Sequence, residues 1–125
     1  AVADAEFKTG NIVSATEAYA EASQIDSENP HVWLDWSYVY YEQGDFEHAQ
    51  NLIEDGLVDC PECADLYYRS VVYLIEDGRY KMAINRLETG LMLDFEGHLQ
   101  LFEFFPNLQT QKALYKIIEQ YRKNS

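Results

Sequence analysis

One short segment of the sequence has the residue types of a chemical site: Cys-Pro-Glu-Cys at residues 60–63. Two thiols at this spacing can form a redox couple, or they can supply half of a structural zinc site, which needs four ligands. The sequence has no second cysteine pair, and His31, His48 and His98 are scattered. We therefore expect no metal site and interpret the segment as a turn with two thiols. A disulfide or a redox-active role for Cys60 and Cys63 stays open as an alternative.

Other patterns typical of enzymes are missing from the sequence. There is no glycine-rich phosphate loop, no nucleophile in a recognisable setting and no histidine pair at metal-ligand spacing. Acidic pairs such as Glu54-Asp55 and Glu76-Asp77 are adjacent along the chain, so their side chains point to different sides of a helix. The sequence predicts no enzyme activity and no cofactor.

The composition indicates a single acidic domain. The 125 residues include 22 Asp and Glu against nine Lys and Arg, a net charge of -13. This charge repels nucleic acid phosphates and anionic membrane surfaces, and no apolar run reaches the ~20 residues that cross a bilayer. We expect no nucleic-acid partner, no membrane insertion and a cytoplasmic location. Because the first residue is Ala, we also interpret the chain as a piece of a longer protein.

A repeat of 34 residues organises the chain. Shifting the sequence by this step superposes residues of similar type in eight pairs: Trp33 and Tyr67, Tyr40 and Leu74, Gly44 and Gly78, Phe46 and Tyr80, Ala49 and Ala83, Ile53 and Leu87, Gly56 and Gly90, and Leu57 and Leu91. Gly10 and Ala15 continue the phase backwards, and Leu101 begins a divergent last copy. Fixed periods of this length are typical of stacked repeat proteins.

The apolar spacing within each copy predicts two helices joined by a tight turn. In one second helix the apolar residues fall at i, i+3, i+4, i+7 and i+11: Tyr80, Ala83, Ile84, Leu87 and Leu91. Gly44 and Gly78 precede the second helices, where glycine can adopt the left-handed conformation. We predict helices at about 1–8, 11–26, 31–43, 46–59, 64–77, 80–93, 98–105 and 109–122.

Two further glycines recur late in the second helices. Gly56 and Gly90 each cost about 1 kcal/mol relative to Ala inside a helix. Their recurrence at one phase predicts a close helix contact that excludes a larger side chain. The alternative is that both helices end there.

These positions resemble tetratricopeptide repeats, whose pattern couples Trp, a small residue and Tyr in a first helix to Ala, an aromatic and a closing Pro in and after a second. The matching residues are Trp33, Trp36, Ser37, Tyr40, Ala49, Ile53 and Pro61 in one copy, and Tyr67, Ser70, Val71, Leu74, Ala83 and Leu87 in the next. Phe95 stands where Pro is usual. The resemblance, best over residues 10–97, implies an all-α fold, a right-handed α-solenoid of helix-turn-helix repeats with a C-terminal capping helix.

The same resemblance predicts the organisation of the chain. We expect one domain over residues 1–125, with a partial repeat at 1–29, repeats at 30–63 and 64–97, and a divergent capping repeat at 98–125. Pro106 should end a helix near Phe105. Residues 112–125 hold four of the nine basic residues on an amphipathic pattern, which fits a cap. Contact of this segment with a membrane or an acidic partner is the alternative.

The first helices carry the clearest sign of function. The resemblance implies that these helices line a concave wall, and they are apolar nearly all round, so something should cover their second side. Tyrosine, which is enriched at interfaces, is frequent in them. We predict a groove that binds a protein or peptide ligand through Leu34, Tyr38, Tyr41, Tyr68, Arg69, Val72, Ile75 and Phe102.

The charges around this predicted groove indicate a ligand with basic flanks. Arg69 is the only basic residue predicted there, beside Asp35, Glu42, Asp65 and Glu76. Two alternatives stay open. Superhelical curvature could bury part of the same stripe, or the chain could be a structural spacer or self-association element whose stripe contacts a second copy.

Overall fold

The computed structural model describes residues 2–104 and 112–124, with side chains described over 13–101, at 103 and over 112–122. The elements in chain order are α1 Val2–Ile25, α2 Pro30–Glu42, α3 Phe46–Asp59, α4 Ala64–Glu76, α5 Tyr80–Leu93, a 3-10 turn Phe95–His98, α6 Leu99–Phe104 and α7 Lys112–Asn124. The described ranges contain no β-strand. The predicted all-α helical repeat is confirmed.

The start of the chain differs from the prediction. Residues 1–8 and 11–26 were predicted as two helices separated by a turn at Gly10, but α1 is one helix, Val2–Ile25. An isolated eight-residue helix is marginal in water, whereas continuing the helix adds one backbone hydrogen bond per residue. The roughly 1 kcal/mol cost of a helical Gly10 is smaller than the cost of breaking the helix there.

The turns between α2 and α3 and between α4 and α5 follow the glycine prediction. Gly44 and Gly78 have φ values of 79° and 76°, in the left-handed region that glycine adopts without steric cost. The N–H of Asp45 donates to the carbonyl of Tyr40 at 3.0 Å, and the equivalent bond after Gly78 measures 2.8 Å. These bonds satisfy carbonyls that the helix ends would leave unpaired.

The late glycines pack against aromatic rings of the preceding first helix. A Cβ added to Gly56 would lie 2.6 Å from Cγ of Trp33, and one added to Gly90 would lie 3.0 Å from Cε1 of Tyr68. The predicted close contact is therefore confirmed. The alternative is wrong, because α3 continues to Asp59 and α5 continues past Gly90 as well.

Buried polar side chains join the neighbouring helices. Between α3 and α4, Ser70 Oγ donates to Gln50 Oε1 at 2.9 Å. Gln50 Nε2 then donates to Glu54 Oε1 at 2.6 Å, and Arg86 from α5 binds both oxygens of Glu54 at 2.7 Å. We call Gln50, Glu54, Ser70 and Arg86 the Glu54 network. It connects three consecutive helices through groups that would be costly to bury unpaired.

The last helix packs onto α5. Leu114 and Ile118 of α7 are buried, and Tyr121 OH donates to Glu88 Oε2 at 3.2 Å. The helix predicted at 109–122 is observed as Lys112–Asn124, and the helix predicted at 98–105 as a 3-10 turn followed by Leu99–Phe104. Pro106 lies outside the described residues.

Candidate interaction surface

One stripe of α2 faces solvent. The helix begins at Pro30, and its N-cap Asn29 accepts a hydrogen bond from the His31 N–H at 3.1 Å. Trp33 points into the stack and donates from Nε1 to the Ser27 carbonyl at 2.9 Å. The exposed residues of α2 fall at i, i+4, i+7 and i+11, which is one side of a helix: His31, Asp35, Tyr38 and Glu42.

The equivalent stripe of α4, 34 residues later, is less open. Its members Asp65, Arg69 and Glu76 are half-buried, and Val72 is only 1% exposed. We call the surface of the two helices the first-helix face and define it by seven residues: Asp35, Tyr38, Tyr41, Glu42, Asp65, Arg69 and Glu76. Four of the seven are acidic.

The predicted apolar groove is wrong for half of its lining. Leu34, Tyr68, Val72 and Ile75 are all buried by the chain's own atoms. The physical reason is that α4 has neighbours on several sides, since it packs against α2, α3, α5 and α6. The apolar residues all round this helix are covered within the fold. The side chain of Phe102, also predicted to line the groove, lies outside the described side chains.

Tyr68 shows where one of these side chains goes instead. It is 0% exposed, lies against Gly90 and Gly97, and donates from its hydroxyl to the Asp94 carbonyl at 2.6 Å. Burial, with smaller contributions from Asp94 and Asp65, raises the pKa of Tyr68 above its usual value of 10.0. This residue holds α4 against α5 and the 3-10 turn.

Tyr38 and Tyr41 form a row of contacting rings with Tyr73 that runs from solvent to the core, which we call the aromatic ladder. The ring of Tyr41 lies 5.3 Å from that of Tyr73, 5.5 Å from that of Phe46 and 5.8 Å from that of Tyr38. Tyr73 is buried and bonded to Ser37 Oγ at 2.9 Å. Tyr38 itself is 38% exposed and is stacked on Tyr41.

Arg69 is anchored beside this ladder. Its Nη1 lies 3.4 Å from Tyr73 OH and 3.5 Å from the Leu34 carbonyl, so the side chain reaches from α4 to α2. Burial and then the charge of Glu76 raise the pKa of Tyr41, so its hydroxyl stays neutral to a higher pH than that of an ordinary tyrosine. The structure thus brings together three predicted site residues, Tyr38, Tyr41 and Arg69, among carboxylates.

The sequence prediction missed a polar contact at the edge of the first-helix face. Gln100 Nε2, from α6, donates to Asp65 Oδ1 at 2.7 Å. Its signal in the sequence is weak, because the last repeat diverges there and glutamine is common on exposed helices. The contact fixes the direction of the Asp65 carboxylate toward α6.

The two cysteines of the turn at residues 60–63 are free thiols. Cys60 is buried, and its Sγ donates weakly to the Ser27 carbonyl at 3.6 Å. Burial, and then the neighbouring Cys63, raises the pKa of Cys60. A raised pKa lowers the thiolate fraction, whereas reactive cysteines have lowered values. The buried Cys60 thiol is therefore less reactive than that of an ordinary cysteine.

No group of three or more His, Cys, Asp or Glu side chains among the described residues could hold a metal ion. None of the helices described has both the length and the apolarity needed to cross a membrane.

Comparison with known families agrees with the repeat geometry. A family model described as tetratricopeptide repeat matches residues 6–72, more than half of the chain. The chain belongs to the tetratricopeptide repeat family. Tetratricopeptide repeats are generally protein-protein interaction modules that bind proteins or peptides, and the family is typically made up of non-enzymatic scaffolds.

Proposed function

We propose that this tetratricopeptide repeat chain is a protein-binding module whose first-helix face receives a peptide or helical segment around Tyr38. The observation that carries the proposal is the aromatic ladder. Tyr38 stacks on Tyr41, which contacts the buried Tyr73, and 38% of Tyr38 is exposed to solvent. Rigid aromatic anchors of this kind supply much of the binding energy at protein interfaces.

The charges of the face define the flanks of the ligand. Asp35, Glu42, Asp65 and Glu76 stand against the single guanidinium of Arg69, which is already directed at Tyr73 and Leu34. A ligand with an apolar or aromatic anchor and basic residues on either side matches this arrangement. Charge complementarity raises the association rate more than the affinity, so association should slow as salt increases.

The experiment compares two tyrosines of equal exposure. Tyr38 and Tyr115 are both 38% exposed, and Tyr115 lies on α7. The wild-type chain, Tyr38→Ala and Tyr115→Ala are used to capture proteins from extracts of the source cells, and dissociation constants are measured with the purified captured protein. We expect Tyr38→Ala to weaken binding about 30-fold, which corresponds to about 2 kcal/mol for an anchor residue, and Tyr115→Ala to have little effect.

Two outcomes would reject the proposal. Equal binding by all three proteins would remove the first-helix face from the interaction. A concentration-dependent dimer in light scattering that Tyr38→Ala disrupts would assign the face to self-association.

A further inference from the structure

The ends of α1 and α3 are held side by side. The carbonyl of Ser27, just after α1, accepts a hydrogen bond from Trp33 Nε1 at 2.9 Å and a weaker one from Cys60 Sγ at 3.6 Å. Cys60 directly follows the last residue of α3. The points at which the chain leaves these two helices are therefore neighbours.

The ends of α3 and α5 are linked in the same way through adjacent residues of α4. Tyr67 OH donates to the Pro61 carbonyl, after α3, at 2.9 Å. Tyr68 OH donates to the Asp94 carbonyl, after α5, at 2.6 Å. Because Tyr67 and Tyr68 both lie in the first two turns of α4, the exits of α3 and α5 are both held at the N-terminal end of that helix. The three exits therefore belong to one edge of the stack.

This edge carries the most exposed large apolar side chains among the described residues. Ile25 is 81% exposed, Val58 is 78% exposed and Met92 is 68% exposed, and each lies in the last turn of its helix. Val58 and Met92 are 34 residues apart and so occupy the same place in the repeat. A single exposed apolar residue needs no explanation, but a row of them at helix ends that lie side by side indicates a contact surface.

Carboxylates accompany each of these apolar residues. Asp26, Asp59 and Asp94 follow within two positions, and α1, α3 and α5 have no basic residue in their last turns. The C-terminal end of a helix is already the negative end of its dipole, so these acidic residues are placed unfavourably. A cationic group bound there would interact favourably with both the carboxylates and the dipoles.

The electrostatics at Cys60 agree with this concentration of charge. After burial and the neighbouring Cys63, the carboxylates of Asp59, Glu28 and Asp26 each raise the pKa of Cys60. Acidic groups from the α1–α2 turn and from the end of α3 therefore act on one point of the edge.

We propose that this edge is a second docking surface, separate from the first-helix face, and that its occupant is a basic amphipathic segment of another protein. We call it the exit edge and define it by Ile25, Asp26, Val58, Asp59, Glu62, Met92 and Asp94. Apolar side chains of the segment cover Ile25, Val58 and Met92, and its Lys or Arg residues lie between the carboxylates. Charge complementarity selects this occupant over a second copy, because two chains of net charge -13 repel each other.

The test uses the full chain and a defined probe. The probe is a fixed pool of synthetic 12-residue peptides, each with four Lys or Arg and with two Leu or Phe placed three or four residues apart. Retention of the pool on immobilised chain is measured for the wild type, for Val58→Ser with Met92→Ser, and for Asp59→Asn with Glu62→Gln. All four positions are exposed, so folding is preserved and is checked by circular dichroism.

Matched controls separate the edge from general effects of apolarity and charge. Val13→Ser with Tyr80→Ser removes two exposed apolar side chains elsewhere, and Glu47→Gln with Asp77→Asn removes two exposed charges from the opposite ends of the helices. Tyr38→Ala reports on the first-helix face.

We expect the wild type to retain a subset of peptides, each edge variant to reduce that retention at least 10-fold, and the controls and Tyr38→Ala to leave it within twofold. Three results would overturn the proposal: no peptide whose retention depends on Val58 and Met92, equal losses in the control variants, or loss with Tyr38→Ala alone. A dimer that dissociates with Val58→Ser and Met92→Ser would also overturn it, in favour of a second copy.

Discussion

Gly56 sets how closely α2 and α3 approach, because its missing side chain makes room for an indole ring. A Cβ at this position would lie 2.6 Å from Cγ and 2.9 Å from Cβ of Trp33, distances that real Cβ atoms do not show. At Gly90 the nearest atom is at 3.0 Å and belongs to the Tyr68 ring. Glycine at both positions lowers helix propensity but allows the two helices to pack closely.

We predict that Gly56→Ala lowers the free energy of unfolding by about 1–2 kcal/mol. Alanine regains about 1 kcal/mol of helix propensity, but the overlap with Trp33 forces side chains or backbone to move, and at a distance this short we expect that to cost about 2–3 kcal/mol, the upper part of the range for overpacking. Gly90→Ala should cost less, because its contact is longer and involves the edge of one ring. Urea unfolding measures both values. Asp55→Ala, at an exposed neighbour on α3, is the control, and a Gly56→Ala chain as stable as this control would contradict the packing account.

Tyr68 makes stability depend on pH in the alkaline range. Burial favours the neutral phenol, so the folded-state pKa lies above the unfolded value of about 10. This stabilisation is fully present below pH 10 and is lost as the pH rises from there toward the folded-state pKa. Tyr41 and Tyr73, whose pKa values burial also raises, contribute with the same sign.

We predict that Tyr68→Phe reduces this alkaline sensitivity. At pH 7 the variant loses about 1 kcal/mol with its hydrogen bond to the Asp94 carbonyl. Between pH 10 and pH 11, however, its free energy of unfolding should fall by about 1 kcal/mol less than that of the wild type, because one titrating group is gone. Urea unfolding at each pH gives the comparison. Parallel curves for the two proteins would show that Tyr68 does not titrate as described.

Side-chain hydrogen bonds and an ion pair between neighbouring helices hold the stack together. The Glu54 network connects α3, α4 and α5, and Ser37 with Tyr73 connects α2 with α4. The ion pair of the network is half-buried and bidentate, with Arg86 Nη2 at 2.7 Å from Glu54 Oε2. In contrast, Arg122 and Glu119 form an exposed pair on α7 at 3.6 Å.

We predict a coupling free energy of about 1–2 kcal/mol between Glu54 and Arg86, measured by a double-mutant cycle of Glu54→Gln and Arg86→Met in urea unfolding. Partial burial and bidentate geometry place this pair above the 0.2–1 kcal/mol typical of surface pairs. The same cycle on Glu119 and Arg122 should give about 0.5 kcal/mol or less. Equal coupling in the two cycles would mean that the Glu54 network adds nothing beyond a surface contact.

The sequence predicted the elements better than the surface they form. Apolar spacing and the glycines at positions 44 and 78 were enough to predict the positions of α2 to α5. An apolar helix face and a residue with positive φ are both local properties of the sequence. The predicted groove lining was wrong at Tyr68 and Val72, which are buried. Apolar spacing shows that these residues share a helix face, but it does not show how many helices pack against that face. The number of neighbours is a tertiary property, and α4 has more of them than α2.

The aromatic residues also show that the 34-residue repeat does not determine tertiary packing. Trp33 and Tyr67, paired by the 34-residue shift, both donate to the carbonyl six residues earlier, at 2.9 Å. The ring against the late glycine, however, is Trp33 in one repeat and Tyr68 in the next. The exit edge was not predicted from the sequence. The sequence does contain a signal for it, because Val58 and Met92 are apolar residues that lie outside the apolar stripes of their helices.

For the whole molecule, charge and repeat geometry lead to the same kind of partner. The chain has a net charge of -13 and two surfaces with exposed apolar groups. The first-helix face carries Tyr38, and the exit edge carries a row of exposed aliphatic side chains. Both surfaces favour basic ligands with apolar anchors, and long-range attraction of such ligands is screened over about 8–10 Å at ordinary ionic strength. Because the two surfaces differ in position, we propose that one chain binds two segments or two parts of one segment.

Site-specific photocrosslinking in the source cells tests whether a partner binds at the first-helix face. Benzoylphenylalanine replaces Tyr38 on the first-helix face, and Tyr80 and Tyr115, exposed elsewhere, serve as controls. We expect a discrete covalent adduct with another protein at position 38 and none at positions 80 and 115. Adducts at position 80 or 115 without one at position 38 would contradict the claim that this module binds its partner through the first-helix face.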